Sequence, residues 1–400
     1  MRASISYIIA LALFSTIVAV VPGCDDSLEF ANTPPGGLTI TRDKCYLGQE
    51  DFVVLTGEAV DADGDSISYS WTAAEGTLTP SDGKGRIVTW QAPDTHGTFR
   101  VTMRVTDGLD TSSKGIDLDV GRRLDIVHND ATLSETDYPY IWDEIAPINI
   151  SDLVTLTIEA GVTIIFNHGG GGFRIRGTLI INGTLEDRVL FMPNKCPDED
   201  RVWKGLQLVG ASATGTISCA TLTFTADGIT VEEGATLTAD NLIVDQATGD
   251  GLTVKTEASV TITDSRVWDN GGGIYVGNGF LRISNSTIRY NNNYGFSMTT
   301  SGGPVAEVTS CVVANNGQYG FVLAGEASPV VNNCSLFFNG PMTEIRTVRI
   351  INSYTNTNAI DMTGNYWGTD DPEEIPPQII REGANGVVDY SGWLSSPPVN

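Results

Sequence analysis

Aspartates are the residues in this sequence whose types and spacing most directly suggest chemistry. Asp61, Asp63 and Asp65 alternate around Gly64, and Asp107 lies in a second Asp-Gly turn. Alternating carboxylates beside a glycine bend supply the oxygen ligands that calcium prefers. The acidic residue that completes an EF-hand loop is missing here, so a calcium site and a solvated Asp-Gly turn both remain open. Calcium is the one cofactor that the sequence suggests.

A second pair of aspartates, Asp227 and Asp250, stands before glycines in a repeated pattern. Paired carboxylates can bind a cation, or act as acid and base in the cleavage of a glycosidic bond. Turn residues before glycine need no such role, and the three histidines (His96, His128 and His168) all precede the regular repeats. Enzymatic activity therefore stays undecided, and we favour a protein without it.

The repeat itself is the clearest pattern in the chain. The motif (Ser/Cys)-x-(Val/Ile/Leu)-x-x-Asn occurs four times and ends at Asn270, Asn291, Asn316 and Asn339. A glycine followed by an apolar residue recurs with a similar period, at Gly205, Gly228, Gly251, Gly273, Gly295 and Gly320. Periods of this length are typical of a solenoid, in which equivalent short strands of successive coils pair in parallel. We expect the asparagines to form a hydrogen-bonded ladder along the axis and to tolerate left-handed turns.

Three large side chains fall at equivalent outward positions of these coils. They are Trp268, Arg289 and Phe337. Aromatic rings exposed along a solenoid can stack on sugar rings, and they can equally contact a loop or a neighbouring domain. These three residues are therefore our candidate ligand-binding residues.

The repeats resemble the right-handed parallel β-helix of the pectate-lyase-like superfamily over about residues 124–394. Leu156–Phe166 looks like the opening coil, and Gly364-Asn365-Tyr366-Trp367-Gly368 resembles an element that closes such helices. The resemblance implies a fold, and it implies carbohydrate chemistry only by analogy. Residues from Leu124 to Ile150 and from Trp367 to Trp393 are expected to cover the two ends.

A smaller domain precedes the repeats. Residues 97–107 alternate apolar and polar side chains, as a half-buried strand does, and Trp71 is a candidate core residue. Asp61-Ala62-Asp63-Gly64-Asp65, Tyr69-Ser70-Trp71 and Val105-Thr106-Asp107-Gly108 resemble the PKD and cadherin-like group of immunoglobulin-type domains. That resemblance implies a spacer or a carbohydrate-associated module.

The N-terminus reads as an export signal. The segment from Tyr7 to Val21 is almost wholly apolar, and it ends in Val21-Pro22-Gly23-Cys24. This resembles the bacterial lipobox and implies that Cys24 is the lipid anchor of a cell-envelope protein. An ordinary signal peptide and an uncleaved anchor are the alternatives.

Of the other cysteines (Cys45, Cys196, Cys219, Cys311 and Cys334), Cys311 and Cys334 share one column, where they either stack or form a disulfide.

Charge narrows the list of partners. The 400 residues include 23 Lys plus Arg and 49 Asp plus Glu, a formal net charge of −26. A surface this negative repels phosphate backbones, which excludes nucleic acid as a favoured partner.

Together these observations predict an all-β protein in four parts. They are a signal peptide (1–23), a lipidated cysteine with a linker (24–37), an immunoglobulin-like β-sandwich (38–121) and a right-handed parallel β-helix with caps (122–400). The predicted function is an envelope lipoprotein that binds a glycan or a protein without catalysis. A β-helix polysaccharide lyase or hydrolase, and a purely structural envelope protein, are the alternatives.

Overall fold

The computed structural model describes residues 32–398 except 126–127, 196–201, 256, 302–304, 342–343, 352–354 and 383–385. Within these ranges the protein is almost entirely β-structure, which confirms the predicted all-β class. Two short 3₁₀ helices, Pro372–Glu374 and Pro376–Gln378, lie near the C-terminus.

The strands divide into those of a sandwich and those of a solenoid. The sandwich strands are β1 (Gly36–Arg42), β2 (Leu47–Gly48), β3 (Phe52–Val60), β4 (Ser68–Ala73), β5 (Thr77–Pro80), β6 (Ile87–Gln91), β7 (Gly97–Thr106) and β8 (Thr111–Arg123). The solenoid strands are β9 (Ala131–Leu133), β10 (Tyr140–Trp142), β11 (Ile148–Ile150), β12 (Thr155–Glu159), β13 (Thr163–Phe166), β14 (Phe173–Ile175), β15 (Thr178–Asn182), β16 (Val189–Pro193), β17 (Leu206–Val209), β18 (Thr214–Ser218), β19 (Ala220–Thr223), β20 (Ile229–Glu232), β21 (Thr236–Asp240), β22 (Ile243–Asp245), β23 (Asp250–Lys255), β24 (Ser259–Thr263), β25 (Arg266–Trp268), β26 (Gly272–Gly277), β27 (Phe280–Ser284), β28 (Thr287–Arg289), β29 (Tyr294–Thr300), β30 (Ala306–Thr309), β31 (Val312–Ala314), β32 (Tyr319–Gly325), β33 (Val330–Asn332), β34 (Ser335–Phe337), β35 (Val348–Ile350), β36 (Ala359–Asp361), β37 (Ile379–Arg381) and β38 (Val387–Asp389).

The sandwich packs two sheets over an apolar core. One sheet has the order β1-β3-β6-β5, and the other contains β4, β7, β8 and β2. Val101, Met103 and Val105 of β7 are fully buried, as their alternation with polar residues predicted. Trp71 is half-buried against this core, and its indole nitrogen donates to the carbonyl of Gly85 at 2.8 Å.

The solenoid has about nine turns and three parallel sheets. Sheet 1 runs from β10 through β13 and β16 to β34, sheet 2 from β11 to β37, and sheet 3 from β9 to β38. Residues in register stack on their own kind, as in the fully apolar column Val244, Val267, Ile288, Val313 and Leu336. Each coil therefore buries its apolar residues only against its neighbours, which is why the repeat is needed.

The predicted asparagine positions are buried and linked by hydrogen bonds. The side-chain nitrogen of Asn270 donates to Asn291 at 3.1 Å, that of Asn291 to Asn316 at 2.9 Å, and that of Asn316 to Asn339 at 2.9 Å. The side-chain oxygens of Asn291, Asn316 and Asn339 each accept, in addition, the backbone N–H of the ladder asparagine in the preceding coil, at 3.2 to 3.3 Å. The side chains thus satisfy buried backbone groups where the strands end.

The left-handed turns were expected at the ladder asparagines, but they lie one residue earlier in the chain. Positive φ angles occur at Asp269 (58°), Tyr290 (58°), Asn315 (55°) and Phe338 (53°), directly before the ladder asparagines. The ladder side chains point inward, so the preceding residue makes the bend and projects outward. At this position Asp269, Tyr290 and Phe338 are exposed, and Asn315 is partly buried.

The two ends of the solenoid are built differently from one another. The segment from Leu124 to Ile150 contains β9, β10 and β11, which pair in register with the next coil and so form a coil of their own. At the other end, Trp367 is fully buried in the core of the solenoid, and Trp393 packs against it partly buried.

Candidate functional site

The three outward residues chosen from the sequence lie in one column of sheet 1. Trp268 is in register with Arg289, Arg289 with Ala314, and Ala314 with Phe337. Three rung spacings separate Trp268 from Phe337, or roughly 14 Å. The structure thus places all three in one column, and the fourth member, Ala314, is fully buried between Arg289 and Phe337. Trp268 is 37% exposed.

Two further aromatic residues, Tyr290 and Phe338, enlarge this surface. They are 47% and 60% exposed, and both occupy the left-handed turn position. Bulky side chains rarely adopt this conformation because it brings Cβ close to the backbone, so each carries a conformational cost. We name Trp268, Arg289, Tyr290, Phe337 and Phe338 the aromatic face.

A pocket opens at the end of the aromatic face. It has a volume of about 420 Å³ and a mainly apolar lining. Its walls are Tyr290, Asn315, Phe338, Asn339, Gly340, Pro341 and Ile345. Exposed apolar surface of this kind, bounded by polar groups, is typical of a ligand-binding site.

Arg289 is the cation of the aromatic face. Its guanidinium lies over the ring of Tyr290, 4.8 Å from the centroid, and donates to the Tyr290 hydroxyl at 2.8 Å. The Nε atom is buried and has no hydrogen-bond partner in the described part of the chain. Within the described ranges, no carboxylate forms an ion pair with Arg289 either.

A carboxyl group stands on the other side of Trp268. Asp245 is in register with Trp268 on the preceding coil. Burial raises the pKa of Asp245, and the nearby negative charge of Asp269 raises it further, while hydrogen bonds from Thr223 and Trp268 lower it. Trp268 therefore lies between a carboxyl group and a guanidinium.

The two aspartates weighed as a catalytic pair, Asp227 and Asp250, lie on adjacent coils of sheet 2. Tyr294 reaches across Gly272 and donates its hydroxyl to Asp250 Oδ1 at 2.7 Å. Gly272 is required here, since a Cβ at this position would lie 2.1 Å from that oxygen. Burial is the main cause that raises the pKa of Asp250. Asp227 Oδ2 lies 3.7 Å from the Lys204 ammonium. Both carboxylates thus have protein partners.

The aspartates of the predicted calcium loop accept hydrogen bonds from nearby N–H groups. Asp61 Oδ1 accepts the backbone N–H of Asp63 at 3.0 Å and of Asp65 at 3.1 Å. The side chain of Asn32 donates to Asp107 and lowers its pKa. In the residues that the structure describes, no group of three or more His, Cys, Asp or Glu side chains is arranged to hold a metal ion.

Cysteine placement is known in part. Cys45, Cys219, Cys311 and Cys334 are free thiols, whereas Cys24 and Cys196 lie outside the described residues. The backbone N–H of Cys311 donates to Cys334 Sγ at 3.3 Å, and both side chains are fully buried. This is the stacked arrangement.

Within the described ranges, none of the helices has the length and apolar character of a membrane span.

Comparisons with known proteins agree with this architecture. A family model described as a PKD domain matches residues 37–120, and one described as a right handed beta helix region matches residues 204–365. The chain therefore contains a PKD domain followed by a right-handed β-helix, which confirms both resemblances found in the sequence. A search of curated proteins found no significant match.

Two solved structures show distant similarity. One is a nucleoside hydrolase-related hypothetical protein from Saccharophagus degradans that is associated with carbohydrate metabolism, with 18% identity, 23% of this chain and 26% of that chain covered, and a TM-score of 0.18. The other is the catalytic unit of a thermostable GH87 α-1,3-glucanase from Streptomyces thermodiastaticus, with 11% identity, 87% and 89% covered, and a TM-score of 0.21. At these TM-scores neither similarity supports an argument about activity.

Proposed function

We propose that this protein is a lipid-anchored envelope protein whose β-helix binds a glycan through the aromatic face, without cleaving it. The observation that carries the proposal is the group of exposed rings on one side of the solenoid, next to an apolar pocket. Flat apolar rings with polar rims suit sugar rings, which present one apolar face and several hydroxyls. Arg289 supplies hydrogen-bond donors at the centre of the face.

The binding proposal is tested with the soluble chain that begins at Asp25. Affinity electrophoresis in gels containing xylan, laminarin, dextran, alginate or polygalacturonate reports binding as retarded migration. Analysis of the polysaccharide length after incubation reports cleavage. We expect retardation by at least one polysaccharide with no shortening. Absence of retardation by every polysaccharide would favour a protein partner or a structural role.

Asp245 supports a second candidate function, that of a carbohydrate-active enzyme. A carboxyl group with a raised pKa, beside an exposed tryptophan and near a second aspartate, is a suitable general acid. This candidate predicts shortening of a polysaccharide that is lost in Asp245→Asn, while retardation in the gel is retained. Activity that survives this substitution would refute the assignment to Asp245.

Anchoring is proposed from the N-terminal sequence. Diacylated Cys24 would hold the chain at a membrane surface, because a lipid anchor stabilises membrane association through the burial of its acyl chains. We expect the full chain in the membrane fraction, labelled by a fatty-acid analogue, and Cys24→Ser in the soluble fraction without label. Membrane association of Cys24→Ser with the apolar segment uncleaved would indicate a transmembrane signal anchor instead.

A further inference from the structure

The sandwich and the solenoid share one continuous sheet. Strand β8 pairs with β7 of the sandwich along most of its length, and its last residues, Arg122 and Arg123, pair in parallel with β10 of the solenoid. The N–H of Arg122 donates to Pro139 at 2.8 Å, and that of Leu124 to Ile141 at 2.9 Å. Strand β8 thus occupies the edge that sheet 1 would otherwise leave open at its first coil.

Close approach at this edge depends on a glycine. A Cβ at Gly121 would lie 2.4 Å from the carbonyl oxygen of Pro139 and 2.8 Å from Ile141 Cγ1. The backbone of β8 can therefore contact the first coil only because this position has no side chain. At Gly48 of β2, by contrast, a Cβ would lie 3.6 Å from Ile141 Cβ, which is an ordinary contact.

Buried polar side chains join the two domains beside this edge. Asn194, which follows β16 of the solenoid, accepts the backbone N–H groups of Cys45 and Tyr46 at 3.3 and 3.2 Å. Its side-chain nitrogen donates to the Tyr46 carbonyl and to Asn167, both at 2.6 Å. Asn167 in turn donates to Asp143 at 2.7 Å and to Asp51 of the sandwich at 3.4 Å. Asn194 is 1% exposed, so its bonds replace water entirely.

These junction asparagines occupy the ladder position of the β-helix. Phe191 is in register with Leu222, Val244 and Val267, and Asn194 follows Phe191 by the same three residues that separate Asn270 from Val267. Farther along the helix, this position bonds to neighbouring coils. At the junction, Asn194 keeps a bond to Asn167 of the preceding coil and bonds in addition to the loop between β1 and β2 of the sandwich.

From the continuous sheet and the buried network, we infer that the PKD domain has a function of its own as the N-terminal cap of the β-helix. The two domains fold as one cooperative unit. The PKD domain is therefore not a freely moving spacer. Sheet 1 carries both the aromatic face and the cap, so the cap fixes the direction in which the aromatic face is presented. The inference is independent of any ligand.

Hydrogen exchange on the chain from Asp25 tests this inference. In unmodified protein, we expect the amides of β7 in the sandwich and of β13 in the helix to lose protection at the same urea concentration. In Asn194→Ala, we expect peptides that cover 44–48 and 140–142 to exchange at least tenfold faster, with one lower midpoint for both domains. Asn182→Ala removes an exposed asparagine of the same β-helix. We expect it to change neither the exchange rates of these peptides nor the unfolding midpoint.

Three results would overturn the inference. They are separate unfolding midpoints for β7 and β13 in the unmodified protein, destabilisation of one domain alone by Asn194→Ala, and equal effects of Asn194→Ala and Asn182→Ala. If Asn194→Ala fails to fold, Gly121→Ala gives a milder test, since its methyl group displaces β10 from β8 without removing a hydrogen-bonding side chain. The measurement on unmodified protein decides the matter without any variant.

Discussion

Replacement of one ladder asparagine, Asn291→Ala, should destabilise the protein far more than the loss of an ordinary side chain. Asn291 is 1% exposed. Its side-chain oxygen accepts both the backbone N–H and the side-chain nitrogen of Asn270, and its own nitrogen donates to Val267 at 3.2 Å and to Asn316 at 2.9 Å. Alanine makes none of these hydrogen bonds.

The magnitude follows from the groups that lose a partner. The Asn270 N–H and one side-chain proton of Asn270 remain buried after the substitution and lose their partner. Each buried group without a partner costs about 1–3 kcal/mol, so the lower end of the range already sums to about 2 kcal/mol. Asn316 keeps one bond, from the Asn291 backbone N–H, and is left out of the sum.

The neighbouring residue supplies the control. Asn292 is exposed, so Asn292→Ala removes the same chemical group without burying an unsatisfied atom. We expect this change to alter the free energy of unfolding by less than about 0.5 kcal/mol. Urea unfolding followed by circular dichroism measures both variants. A loss for Asn291→Ala within about 1 kcal/mol of the control would refute the argument that the ladder stabilises the helix.

Three further predictions concern the core, the buried acid and the thiols. Phe296→Ala should cost about 3–5 kcal/mol in urea unfolding, because Phe296 stacks fully buried on Phe321 at 4.9 Å and leaves a cavity; a cost below about 1 kcal/mol would contradict this packing. Burial raises the folded-state pKa of Asp250, so ionisation destabilises the fold as pH rises above the ordinary value of 3.8. Asp250→Asn should therefore have the higher melting temperature at pH 7, and the two proteins should converge below pH 3.8; a lower melting temperature at pH 7 would refute the assignment. Cys311→Ser should cost less than about 1.5 kcal/mol, since serine fills the same position at Ser286, whereas Cys311→Val should cost more because it removes the acceptor that Cys311 offers to the Ser286 N–H; equal costs would contradict that role.

The fold was largely predictable because the repeat places similar residues at equivalent positions of successive coils, where they stack on one another. Motif positions such as Val267 and Ile288 must be in register if each coil is to bury its apolar residues, and register then fixes the neighbours of every outward side chain. That reasoning was enough to place Trp268, Arg289 and Phe337 in one column. It also anticipated the ladder, since a buried asparagine needs a partner on the next coil.

Other features depend on contacts that a repeat does not encode. Tyr290 and Phe338 belong to the aromatic face only because they precede ladder asparagines at the left-handed turn, and their residue types gave no indication of that backbone conformation. The role of Asn194 depends on Cys45 and Tyr46, which lie about 150 residues earlier in the chain. Likewise, the local backbone N–H groups that bond Asp61 could not be read from the spacing of the aspartates.

Binding at the aromatic face is the central claim, and affinity electrophoresis of matched aromatic variants tests it most directly. The measurement compares Trp268→Ala and Phe338→Ala with Phe52→Ala, which removes a 53% exposed ring from the sandwich instead. In gels of the polysaccharide that most retards the unmodified chain, we predict that each variant of the aromatic face binds at least about tenfold more weakly, a loss of about 1.4 kcal/mol. Phe52→Ala should migrate like the unmodified chain. Unchanged retardation of both aromatic-face variants would contradict the account.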